Sequence, residues 1–131
     1  RTLLRLVLAA FMAVAGTGHF LETEAFLAQT PSFLPFREAI VWVSGAVEIA
    51  FALALVALPA RRRLVGRLLA AFYVAIFPGN VYQAVAGTSG FGLDTPVERW
   101  TRLLFQPILV VAALWATSGP GYHRDDRGRT T

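Results

Sequence analysis

The sequence has no cysteine and no lysine, and it has few charged residues of any kind. Without cysteine, the chain forms no disulfide, ligates no iron–sulfur cluster through thiolates and has no thiol nucleophile. Charged residues make up 15% of the 131 positions, whereas about 25% is usual in soluble domains. All twelve basic residues are arginine, and most stand at the ends of apolar runs. The net charge of +4 therefore comes from arginines placed as topology signals of a membrane protein, and it does not indicate nucleic-acid binding.

Apolar residues account for 56% of the sequence before glycine is counted. A soluble fold of this size exposes much of its surface and could not bury so much apolar material. Four spans of about 20 residues would place that material in lipid. The composition therefore excludes a soluble enzyme, a nucleic-acid binder and a disordered chain. It predicts an all-α protein, a bundle of four transmembrane helices in contact with the lipid bilayer.

The long uncharged runs predict where the helices lie. We expect them at about 3–21, 40–58, 64–86 and 100–117, within one membrane domain of residues 1–117 that is followed by a disordered tail, 118–131. Proline inside the third helix, at Pro78, predicts a kink and leaves the Val74 carbonyl without its usual helical partner. The connection 22–39 mixes phenylalanine, leucine and proline, which is typical of a segment in the membrane interface that partly covers the bundle. The connection 87–99 contains several glycines, which predict a flexible turn.

The arginines predict the orientation. Nine fall on one side of the predicted helices and three on the other, so we expect both termini and the 59–63 turn in the cytoplasm of a multi-pass protein of the cell membrane. The nine are Arg1, Arg5, Arg61, Arg62, Arg63, Arg67, Arg124, Arg127 and Arg129, and the three are Arg37, Arg99 and Arg102.

One alternative concerns the first helix. Residues 1–15 begin with basic residues, continue with an apolar stretch and end in Ala-Val-Ala, which is typical of a cleavable signal peptide. The apolar run continues through Phe20, and a protein with several spans needs no separate signal. A retained helix is therefore favoured, and sequencing the mature N-terminus distinguishes the two.

A few polar residues interrupt the apolar helices, and the predicted topology brings all of them into the outer leaflet. A charged group in hydrocarbon costs at least about 2.5–3.5 kcal/mol, so each needs a reason. Two interpretations stay open: a structural clamp between helices, or a site for a ligand or proton. Glu48 and His19 are the candidates for proton exchange, and one histidine with one glutamate is too few ligands for a metal. The candidate binding residues are His19, Glu48, Asn80, Tyr82, Arg102 and Gln106.

Small residues accompany the two candidates for proton exchange. Ser44 and Gly45 precede Glu48 by four and three positions, and so share its helical face. Gly16 and Gly18 stand beside His19. Such residues let neighbouring transmembrane helices approach closely.

Taken in order, several segments resemble the DoxX-like integral membrane proteins over about residues 6–116. The matching segments are GTGHF at 16–20, LP at 34–35, SGAVE at 44–48, RRR at 61–63, FPGNVY at 77–82, and Arg102 with Gln106. Two features depart from that family: Gly79, where alanine is more frequent and the kink is expected to be looser, and the long polar tail.

The resemblance implies a four-helix bundle associated with redox systems. Members resemble the small membrane subunit of an archaeal thiosulfate:quinone oxidoreductase, and others are implicated in membrane oxidoreductase complexes that handle oxidative stress. We therefore expect a subunit of a quinone-linked oxidoreductase that is not catalytic alone, with a non-covalently bound quinone and either a redox partner protein or a second copy of the chain. More distant animal relatives are assembly chaperones, so a non-catalytic membrane scaffold is the alternative.

Overall fold

The computed structural model describes residues 1–87 and 95–119, and all of the regular structure in these two ranges is helical. Parts of the predicted 87–99 turn and most of the predicted 118–131 tail lie outside the described residues. The helices are α1 Thr2–Leu21, α2 Thr23–Leu27, α3 Arg37–Ala57, α4 Arg62–Ala86, α5 Pro96–Arg102 and α6 Phe105–Thr117, with a 3₁₀ turn Pro59–Arg61 between α3 and α4.

Within the described residues, four helical stretches are long and apolar enough to cross a membrane. They are Thr2–Leu21, Arg37–Ala57, Pro59–Ala86 and Pro96–Thr117. Each presents large apolar side chains on its outer surface, where lipid replaces water as the solvent, including Val14, Leu53, Val74 and Val111. The predictions of an all-α fold and of a multi-pass membrane protein are confirmed.

The fourth stretch differs from the single helix expected at 100–117, because it consists of two helices joined at Leu103 and Leu104. Pro107 has no N–H to donate, and its ring crowds the carbonyl of Leu103 four residues earlier. The joint accordingly uses the tighter bonds of a 3₁₀ turn: Leu104 N–H donates to the Thr101 carbonyl at 3.0 Å and Gln106 N–H to the Leu103 carbonyl at 3.4 Å.

Helix α5 also begins earlier than expected, because its first turn is capped. The Thr95 hydroxyl accepts a hydrogen bond from the Glu98 backbone N–H, and the Glu98 carboxylate accepts one from the Thr95 N–H. Pro96 stands at the first helical position, where its missing donor costs nothing.

The helices pack as two tight pairs, α1 with α3 and α4 with α6, and weaker contacts join the pairs. Buried apolar side chains from all four spans fill the centre, among them Leu8, Met12, Leu55, Leu69, Tyr73 and Ala113.

Glycines set the distance within each pair. A Cβ added at Gly16 would lie 2.7 Å from the Gly45 carbonyl oxygen, and one added at Gly45 would lie 2.6 Å from His19 Cβ. In the other pair, a Cβ at Gly66 would collide with the Thr117 side chain. Since real Cβ atoms do not approach so closely, α1 and α3 cross backbone to backbone, whereas α4 packs its glycine against the Thr117 side chain of α6.

Helix α4 continues through Pro78, and the glycine that follows serves a packing role. A Cβ at Gly79 would lie 2.7 Å from the carbonyl oxygen of Gln29, which belongs to the segment between α2 and α3. Glycine at this position thus admits the backbone of that segment against α4.

We expect Gly16→Ala to lower the free energy of unfolding by about 1–3 kcal/mol, because its methyl group overpacks the α1–α3 contact. Gly18→Ala is the matched control, since its Cβ would meet only the Phe26 ring, at 3.5 Å. Both substitutions gain the same helix propensity, so the difference between their melting temperatures in detergent measures the contact. Equal melting temperatures would show that α1 and α3 do not pack at Gly16.

Candidate functional site

His19 and Glu48 meet inside the α1–α3 pair. The His19 Nε2 and Glu48 Oε2 atoms are 3.1 Å apart, and His19 Nδ1 lies 2.7 Å from the Val41 carbonyl oxygen. The two residues are 7% and 6% exposed. The close approach at Gly45 allows this geometry, because the imidazole passes directly over the glycine to reach two groups on α3.

The hydrogen bond to Val41 fixes where the histidine carries a proton. A carbonyl oxygen only accepts, so His19 Nδ1 is the donor. The facing Nε2 and Oε2 atoms would then repel each other through their lone pairs unless one of them carried a proton. A proton on Nε2 would make an ion pair, and a proton on Oε2 would leave both groups neutral.

An aromatic ring covers one side of the His19–Glu48 pair, and one carboxylate oxygen of the pair lacks a hydrogen bond within the described residues. The Phe26 ring of α2 covers the His19 imidazole, with the ring centroids 3.7 Å apart. The contact between Nε2 and Oε2 has the distance of an ion pair but not the alignment of a hydrogen bond, so the buried Oε2 atom accepts no hydrogen bond from the described residues. A buried carboxylate oxygen in this state is available to a further donor or acceptor.

A second polar group lies within the α4–α6 pair, centred on the buried Gln106. Its Nε2 donates to the Tyr73 carbonyl oxygen at 2.6 Å. Its Oε1 faces Asn80 Nδ2 and Arg102 Nη1, each at 3.4 Å. The glutamine thus binds the carbonyl next to that of Val74, the one that Pro78 deprives of its donor.

Tyr73 stands between the two polar groups and was not among the residues predicted from sequence. Its hydroxyl donates to Met12 Sδ of α1 at 3.1 Å, and its backbone carbonyl accepts from Gln106 of α6. Tyr73 lies within a long uncharged run, so it did not stand out as a polar interruption of the helix. The available signal was its spacing of seven residues from Asn80, which places both on one face of α4.

Five of the six predicted residues therefore form two groups rather than one. The structure brings His19 to Glu48, and it brings Asn80 and Arg102 to Gln106. Tyr82 joins neither group, because its hydroxyl accepts a hydrogen bond from the Ser32 backbone N–H at 3.2 Å, outside the bundle.

The residue after Tyr82 points into the protein instead. Gln83 is buried, and its Oε1 accepts a hydrogen bond from Gln29 Nε2 at 3.1 Å. Residues 29–32 therefore lie across the outer end of α4, which agrees with a connection that partly covers the bundle.

Arg37 fixes the same connection from α3. Its Nη2 donates to the carbonyl oxygens of Leu27 and Thr30, both at 2.7 Å. The connection holds Phe36 in a left-handed backbone conformation, φ 54°. Phe33 and Phe36 are 80% and 83% exposed at this end of the bundle.

No group of three or more histidine, aspartate or glutamate side chains with metal-binding spacing occurs within residues 1–87 and 95–119. The buried groups offer proton donors and acceptors and one guanidinium.

Comparison with known proteins identifies one family. The family model described as "Domain of unknown function (DUF8561)" matches residues 8–117, which include all four membrane-length helices almost in full and every candidate polar residue. No curated protein and no solved structure matches the chain.

We expect His19→Leu to lower the free energy of unfolding by about 3–5 kcal/mol, because it leaves the Glu48 carboxylate buried without a partner. The double variant His19→Leu/Glu48→Leu should recover most of that loss, since it removes both polar groups at similar volume. Unfolding in detergent measures both. A double variant no more stable than the single one would show that the two side chains are not coupled.

Proposed function

This chain belongs to the family of the domain of unknown function DUF8561, and we propose that it is a small membrane subunit of a quinone-linked redox system. The observation that carries the proposal is the buried His19–Glu48 pair, in which a carboxylate oxygen accepts no hydrogen bond from the described residues. The resemblance to DoxX-like proteins supports the same class of function.

The pair is suited to proton exchange. A proton on Nε2 and a proton on Oε2 give the pair the same net charge, so neither state leaves an uncompensated charge in a low-dielectric interior. The Val41 carbonyl keeps the imidazole in one orientation throughout. Glu48 or His19 can then donate or accept a proton at Oε2 or Nε2, and its partner rebalances the pair.

The second polar group supplies complementary chemistry. Arg102 is half-buried and uses one of its five N–H donors on Gln106. Its remaining donors suit an oxygen that gains negative charge, as oxyanions do beside a guanidinium. Asn80 and Gln106 orient this end of the site.

A quinone is the cofactor whose chemistry fits these groups. When bound, a quinone supplies a two-electron carrier that takes up protons on reduction and has an apolar tail for the lipid-facing helices. The residues that would hold its head group are Glu48 and His19 on one side and Arg102 on the other. The chain has no cysteine, and its second histidine, His123, lies in the polar tail. Electrons therefore come from a partner protein or from a second copy that carries its own cofactor.

We expect Glu48→Gln to reduce quinone-linked oxidoreductase activity in membranes at least about tenfold, since an amide cannot exchange the proton and general acid–base groups contribute about 10²–10⁴-fold. Glu38→Gln is the matched control: it removes the same charge from the exposed first turn of α3. Quinone binding to the purified protein, followed by tryptophan fluorescence quenching, shows whether Glu48→Gln still binds quinone.

Two outcomes would contradict the redox proposal: a purified protein that binds no quinone, or equal activity of the Glu48→Gln and Glu38→Gln variants. The alternative, a non-catalytic scaffold or assembly chaperone, is favoured by the outer connection, which Arg37 holds in place and which exposes Phe33 and Phe36. Unchanged quinone activity together with a membrane protein that co-purifies in mild detergent would support the scaffold. A preparation in which no partner protein co-purifies would contradict the scaffold alternative.

We also propose that both termini face the cytoplasm of the cell membrane. In the described residues, six arginines gather at the end of the bundle that holds the 3₁₀ turn, and the opposite end has three. The absence of cysteine allows a direct test with single-cysteine variants.

We expect a membrane-impermeant maleimide to label Phe33→Cys in intact cells and to label Ala60→Cys only after the membrane is opened. Both positions are exposed in the protein, so access to the reagent is limited only by the bilayer. The reverse labelling pattern would show that both termini face away from the cytoplasm.

A further inference from the structure

We propose that the arginine cavity at the start of α4 binds the phosphate-bearing headgroup of an anionic phospholipid. The cavity has a volume of about 400 Å³ and opens beside the 3₁₀ turn. Its lining includes Arg61, Arg62, Arg63 and Arg67, together with Pro59 and Leu64. This site lies at the opposite end of the bundle from the His19–Glu48 pair, so the proposal does not depend on the redox function.

No described carboxylate forms a salt bridge with Arg61 or Arg67 at this end. The described carboxylates, in Glu22, Glu24, Glu38, Glu48 and Glu98, belong to the other end or to the middle of α3. Both arginines line the cavity, so their guanidinium groups can donate to an anion bound there.

Helix stability alone does not explain these arginines. The N-terminus of a helix carries a partial positive charge, so cations in the first turn of α4 are unfavourable and an anion is favourable. Arg63 and Arg67 are also four residues apart, on one face of the helix, where like charges repel. A bound phosphate would offset both effects.

The shape of the cavity wall is held by hydrogen bonds. Arg63 donates to the Gly119 carbonyl oxygen through Nε at 3.2 Å and Nη2 at 2.9 Å, which ties the start of α4 to the end of α6. The Arg61 N–H donates to the Leu58 carbonyl oxygen at 3.0 Å and closes the turn. Four cations are thus kept within one short stretch of backbone.

Apolar surface beside the cavity favours a lipid over free phosphate. Leu64 lines the cavity and is 54% exposed, and Leu68 follows one turn later on the same face and is 52% exposed. Acyl chains attached to a headgroup in the cavity would run along this leucine face into the hydrocarbon. Basic pockets at the ends of transmembrane helices bind anionic headgroups in this manner.

The test is native mass spectrometry of the full-length protein in mild detergent, titrated with phosphatidylglycerol and, separately, with phosphatidylcholine of the same acyl chains. We expect phosphatidylglycerol to be retained more strongly. In Arg61→Gln/Arg67→Gln that preference should fall about 30-fold, or about fivefold for each arginine.

Arg1→Gln is the control, compared with the single variant Arg61→Gln. Arg1 lies at the same end and carries the same charge, but it stacks over Trp115, 5.3 Å from the ring centre, and does not line the cavity. Equal losses in the two single variants would reduce the effect to net charge and overturn the proposal. Competition by millimolar inorganic phosphate that removes the lipid would also overturn it, because the ligand would then be free phosphate.

Discussion

The contact of α1 with α3 at Gly16 and Gly45 is the constraint on which the rest of the structure depends. Without side chains at these positions, the two backbones approach until His19 reaches both the Val41 carbonyl and Glu48. A polar pair that far from water is stable only when each group satisfies the other. The packing of the helices and the chemistry of the site are therefore one feature, since a wider crossing would separate the imidazole from its partners.

The same principle organises the second pair of helices, but there an amide takes the place of the charged pair. Pro78 removes a donor from α4 and Pro107 removes one from the last span, so both helices have locally weakened backbone bonding. Gln106 lies at this weak point, where it binds the Tyr73 carbonyl and faces Asn80 and Arg102. The buried amide thus binds the backbone beside the Val74 carbonyl, which Pro78 leaves without its usual donor.

Composition and the spacing of charges predicted the all-α class and four membrane-length helices, because lipid leaves few alternatives for so apolar a chain. Proximity to Glu48 was also foreseeable for His19, through the small residues beside both. The division into two polar groups could not be foreseen from the sequence. It depends on which helices pack together, and sequence periodicity does not encode helix pairing. Tyr82 was misleading for a local reason: it lies one position from Gln83, and that single step turns its side chain towards Ser32.

The two ends of the bundle differ in how their charged side chains are balanced. At the end with the outer connection, acid and base are brought together inside the protein, so charge is balanced within the chain. At the other end, arginines cluster around the start of α4 without a described carboxylate beside Arg61 or Arg67. The proposed anionic headgroup would supply the balancing charge for Arg61 and Arg67. The polarity that orients the helices would then also determine which lipid surrounds them.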